Sequence, residues 1–178
     1  MTLKTNARIA GFTFLFYIAV GVQHAANPGI AVLLTLLQSF SALVLAVTLY
    51  GITSGEDQDI AMLALTCRVV EGVLGALSKP GSSPLMGATF FAVGSVLFSW
   101  LLLRGRLIPP AMAWLGVFAS LLLMVGLPLQ LAGVVSGKVT LFMWLPMLAF
   151  EVPLGFWLLI KGVAGSSQRP IGQSPQMP

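Results

Sequence analysis

Apolar residues run along this chain in stretches of about twenty, each long enough to cross a bilayer as a helix, and short polar or turn-forming breaks separate them. Six such spans are predicted, over residues 8–24, 29–53, 60–78, 85–103, 109–135 and 139–163. Asn27-Pro28-Gly29 makes a tight turn after the first, Ser54-Gly55-Glu56-Asp57-Gln58-Asp59 precedes the third, and Lys79-Pro80-Gly81-Ser82-Ser83-Pro84 leads to the fourth. Residues 164–178 are rich in Ser, Gln and Pro, a composition that predicts a disordered tail. No soluble insert and no internal repeat interrupts the pattern. The expected fold class is all-α: a single-domain polytopic transmembrane bundle of six helices over residues 1–163.

Composition agrees with that pattern. Of the 178 residues, 57% are hydrophobic and 8% charged, against about 25% charged in ordinary soluble domains. Mean hydropathy is +0.97. The net charge of +4 is nine basic against five acidic residues; apart from Arg68 the basic residues are scattered at or beyond the span ends and form no nucleic-acid-binding stripe. Cys67 is the only cysteine, so neither an intrachain disulfide nor a multi-cysteine zinc site is available.

The basic residues instead set topology. With an even number of spans both termini share a side, which holds Lys4, Arg8, Arg104, Arg106, Lys161 and Arg169 and leaves Lys79 and Lys138 opposite. Lysine and arginine concentrate on cytoplasmic loops, so both termini are expected in the cytoplasm. Tyr50, Trp100, Trp114 and Trp157 near that side, with Trp144 near the other, fit interfacial belts. Lys4 and Arg8 before the apolar run also resemble a secretory signal. Cleavage after Ala25 or Ala26 would however place Gln23 or His24 where a small residue is required, so an uncleaved first helix is expected.

Away from the span ends, where Arg8 and Lys161 lie, the retained charges within the predicted spans are Arg68, Glu71 and Glu151. A charge at mid-bilayer depth costs about 2.5 to 3.5 kcal/mol on insertion scales, so residues kept there are paired or used. At about 1.5 Å of rise per residue, Arg68 and Glu151 reach nearly one level near the midplane, with Glu71 one turn further out. They can meet if the third and sixth helices touch. Gln38, His24 and Gln130 fall in the outer half or at its rim, which predicts a small polar pocket opening outward. Ala61, Ala64, Arg68, Glu71, Gly72 and Gly75 share one stripe at helical spacing, so the charged face of the third helix should face protein. Pro146 and Pro153 bracket Glu151, and each frees a backbone carbonyl that a neighbour or a wet cavity must satisfy. One arginine cannot neutralise two carboxylates, so the cluster is expected to hold a proton or a cation.

Several short motifs, in order and spacing, resemble the bacterial membrane proteins grouped as domain of unknown function 4386. They are Ala7-Arg8-Ile9-Ala10-Gly11, Arg68-Val69-Val70-Glu71, Arg104-Gly105-Arg106-Leu107-Ile108-Pro109, and Pro146, Glu151 and Trp157-Leu158-Leu159-Ile160-Lys161-Gly162. The likeness spans Ala7 to Gly162. The loops after the first and third helices are shorter than usual there, and Pro110 stands where a bulky or basic residue is usual. The resemblance implies a multi-pass helical membrane protein and brings no activity or substrate.

Residue chemistry excludes more than it assigns. Glycines are isolated within apolar helices, and no nucleotide-binding loop occurs. His24 has no ligand-spaced partner, which argues against metal or haem. There is no Gly-x-Ser-x-Gly elbow. Glu71 and Glu151 could form an acid/base pair, but nothing beside them in sequence resembles a nucleophile or substrate clamp. No catalytic residue, metal site or cofactor is therefore assigned. The binding candidates are Arg68, Glu71, Glu151, Gln38, His24 and Gln130. Three readings stand: a bundle that binds or transports a small molecule, ion or proton; a structural or accessory subunit of a membrane complex, or a homo-oligomer, in which the cluster sets helix register; and, least supported, a membrane enzyme. The bilayer is the one partner common to all three, and nucleic acid is excluded.

Overall fold

The computed structural model describes residues 2–26, 28–78 and 85–164, without the side chains of residues 24–26 and 28. Six α-helices account for the described chain: α1 (Leu3–Ala26), α2 (Ala31–Thr53), α3 (Gln58–Leu77), α4 (Leu85–Arg104), α5 (Pro110–Leu131) and α6 (Lys138–Ile160). All are long and apolar enough to span a membrane, and no strand occurs among the described residues. This is a multi-pass membrane protein. Its outward surface carries large apolar side chains such as Phe12, Phe40, Phe118 and Phe142, which water would not tolerate over such an area and lipid does.

The helix boundaries differ from the hydropathy pattern where local chemistry overrides it. Helix α3 starts two residues early because the Asp57 side chain accepts a hydrogen bond from the Ile60 backbone N–H, 3.2 Å away, so the polar break supplies the N-cap. Helix α5 stops at Leu131, short of Val135, because Gly133 turns left-handed at φ 75° and the Val134 N–H bonds back to the Leu129 carbonyl. Between α1 and α2 the chain makes a short 3-10 turn, Pro28–Ile30. The expected turn residue Asn27, the loop 79–84 and the tail 165–178 lie outside the described residues.

Each helix packs on its chain neighbours, and α6 closes back on α1, so the six form a ring. Closure is tight at one crossing. A Cβ on Gly11 would lie 2.5 Å from the Leu159 nitrogen and 2.6 Å from the Gly155 carbonyl oxygen, so only glycine lets these two backbones meet. In the ring α3 and α6 stand opposite and do not pack against each other. The interior is filled by side chains including Phe14, Leu45, Phe98, Leu123, Met147 and Phe150. On the face bearing the ends of α1 and α6, Arg104 Nη1 meets Asp57 Oδ2 at 3.0 Å. There the Ala164 N–H also bonds the Leu107 carbonyl at 3.0 Å.

Candidate functional site

Helix α3 buries most of the stripe expected of it: Ala61, Ala64, Arg68, Glu71 and Gly72 are buried, and Gly75 is half-buried. Arg68 is 1% exposed, the most expensive side chain in the interior to place there. Two features admit it. Gly94 on α4 leaves the space that its aliphatic stem occupies, since a Cβ there would sit 3.1 Å from Arg68 Cγ. The Phe91 ring lies 4.7 Å below the guanidinium carbon, within cation–π range.

The charge of Arg68 is met within its own helix. Nη1 lies 2.9 Å from Glu71 Oε2, three residues on, the neighbour relation that a helix surface provides. The two atoms are close without being aligned as a hydrogen bond, and Nε, Nη1 and Nη2 of Arg68 find no hydrogen-bond partner among the described residues. The other oxygen of Glu71 accepts a bond from the Tyr17 hydroxyl at 3.0 Å. Tyr17 belongs to α1, which does not pack directly on α3, so this bond crosses the bundle interior. Sequence reading missed Tyr17. The signal was its depth: at about 1.5 Å per residue it lies about 21 Å along α1, away from either belt and level with Glu71.

Glu151 is 5% exposed and comes from the opposite side of the ring. Arg68 and Glu151 form no ion pair among the described residues. The condition for Arg68 to meet Glu151, contact between α3 and α6, is not fulfilled, because α4 and α5, on one side, and α1 and α2, on the other, separate them. The two charged side chains nevertheless line one cavity, together with Ser95 and Ser99 of α4 and Phe98 and Phe150. It admits about one water molecule. Pro146 and Pro153 bracket Glu151 and leave the carbonyls of Phe142 and Ala149, both on its N-terminal side, without their helical donors.

The cavity does not lie on the outer side of the cluster, where a pocket was expected. Leu49, Leu102 and Leu154, which also line it, stand about 3 to 9 Å from the helix ends at the terminal face, against about 15 Å for Arg68. On the opposite side of Arg68 the way is covered by Phe91, with the Trp144 ring packed on it at 5.8 Å. Trp144 is thus part of the interior packing more than of a belt. The remaining candidates fall elsewhere. Gln38 faces Gly21 at the contact of α2 with α1. Gln130, near the end of α5, keeps a buried Oε1 without a protein partner, and neither lines the cavity. The His24 side chain lies outside the described residues.

Comparison with known proteins gives a partial match to one family model and no activity. Residues 82–162, which cover α4 to α6, match the family model described as Domain of unknown function (DUF4386). The matched stretch includes Arg104, Pro146 and Glu151, whereas Ala7-Arg8 and Arg68-Val69-Val70-Glu71 lie before it. No curated protein and no solved structure matches the chain.

Proposed function

We propose that this integral membrane protein, of a family whose function is unknown, is a proton-binding bundle in which Glu151 takes up and releases the proton. The observation that carries the reading is the division of labour around Arg68: its charge is met by Glu71 at 2.9 Å, while Glu151 lines the same cavity without pairing to it. Ionising both acids leaves the cluster at net −1, counting one arginine against two glutamates, and a buried surplus charge is relieved by binding a proton. A cavity of this size favours a proton over a small organic solute, and the guanidinium beside it repels a metal cation.

Infrared difference spectra of the protein in lipid, recorded from mildly acidic to mildly alkaline pH, test this reading. A protonated-carboxyl band that disappears on alkalinisation and is missing in Glu151→Gln is the expected result. Its absence from the unmutated protein would refute the proposal. The second reading is a structural subunit, favoured by the Tyr17–Glu71 bond between helices that do not otherwise pack; comigration with a larger complex at native abundance supports it.

The proposed setting is the bacterial inner membrane with both termini in the cytoplasm, supported by the bias of Lys and Arg towards the terminal face. Reporter fusions at Ser136 and Gly165 check it: the first should report outside and the second inside.

A further inference from the structure

We propose that the cavity between Arg68 and Glu151 is a binding site for a single ordered water that joins the two residues across the bundle. A guanidinium carries five N–H donors and no acceptor. At Arg68 it is 1% exposed, and none of its nitrogens is hydrogen-bonded by a protein group. Buried donors left in that condition are costly. What they require is a small acceptor, and the cavity they line admits one molecule of that size. A buried water needs two to four polar partners, and the polar lining supplies the complementary kinds. Arg68 donates to the water oxygen, Glu151 accepts a water hydrogen, and the Ser95 hydroxyl can do either.

These three residues sit at nearly one depth, about 14 to 15 Å from the terminal face, while the nearer wall is made by Leu49, Leu102 and Leu154, with Ser99 as its polar member. The water therefore belongs at the inner, polar end. Position gives it a role. It extends the chain from Tyr17 through Glu71 and Arg68 to Glu151, so that helices α1, α3 and α6 share one polar network although α3 packs on neither of the other two. The role in proton uptake rests on the reading proposed above; the presence of the water rests on Arg68 and the cavity alone.

Radiolytic hydroxyl labelling of the full chain in lipid nanodiscs, in ¹⁸O-enriched water with mass-spectrometric readout, tests it. Met147 and Phe150 both line the cavity and are 1% and 3% exposed, so they acquire label only from water held beside them. Phe14, on the same lining and 5% exposed, gives a third reporter. Label is expected at Met147 and Phe150 in the unmutated protein. In Ser95→Val, whose added methyl groups occupy the polar end, it should fall several-fold, to the level of the buried Met143 outside the cavity. Ser99→Val serves the same purpose if the first variant fails to fold. Unlabelled Met147 and Phe150 in the unmutated protein would overturn the inference without any variant. Label that persists undiminished in a folded filling variant would overturn it too, since it would show bulk solvent entry. The two proposals fail separately: a dry cavity with a titrating Glu151 removes only the water, and a labelled cavity with no carboxyl band removes only the proton site.

Discussion

Glu71 and Glu151 have the same side chain and similar burial and lie about one helical turn apart in depth, yet the bundle treats them differently. Glu71 shares a helix with its cation and receives a tyrosine hydroxyl, so both of its oxygens are engaged, one by charge and one by a hydrogen bond. Glu151 stands on the far side of the ring, between two prolines, beside a cavity instead of a partner. Burial alone does not make an acid functional. What separates the two is whether the surrounding side chains already satisfy the ionised form.

The largest effect should come from removing the shared cation. Arg68→Leu leaves Glu71 buried without its counter-charge, a loss of about 3 to 5 kcal/mol for a buried pair in a soluble protein and less in a bilayer where other partners are found. Thermal unfolding in detergent measures it. The comparison is broken or kept by which acid rescues the variant. Adding Glu71→Gln to Arg68→Leu should recover more stability than adding Glu151→Gln, because coupling energies are found between residues in direct contact. Equal rescue by the two would dissolve the distinction.

A smaller loss is expected from Glu71→Gln alone, about 1.5 to 3 kcal/mol for a hydrogen-bonded charged group, with lower yield of folded protein as the readout. Tyr17→Phe removes only the hydroxyl that bridges α1 to α3, and interhelical hydrogen bonds in membranes are worth about 0.6 to 1.7 kcal/mol. That variant should fold and melt slightly earlier. The smallest effect belongs to Glu151→Gln, within about 0.6 kcal/mol of the unmutated protein, while the carboxyl infrared band vanishes. A Glu151→Gln protein as unstable as Glu71→Gln would show that Glu151 is a structural partner after all.

Much of the fold is legible along the chain because membrane insertion is a local, one-dimensional criterion. Twenty apolar residues in a row, a Pro-Gly or acidic break, and a bias of lysine and arginine together towards alternate loops can all be read without neighbours, and the six helices follow the apolar pattern. Residue spacing also reveals which face of α3 is buried, since Ala61, Ala64, Arg68 and Glu71 lie on one stripe whatever packs against it. The ends are less legible: Asp57 reads as loop until its side chain is seen to cap α3, and Gly133 stops α5 inside an apolar run.

By itself, then, the sequence determined a six-span helical membrane protein with Arg68, Glu71 and Glu151 at mid-depth, because hydropathy, helical period and rise per residue belong to each segment alone. Only the tertiary structure decided that Arg68 pairs with Glu71 and not Glu151, that Tyr17 completes the pair, and that the cavity lies towards the terminal face beneath Phe91 and Trp144. Those outcomes depend on the order of helices around the ring and on their rotation. Contacts as distant in sequence as Gly11 with Gly155, or Gly94 with Arg68, set both, and no single segment encodes them.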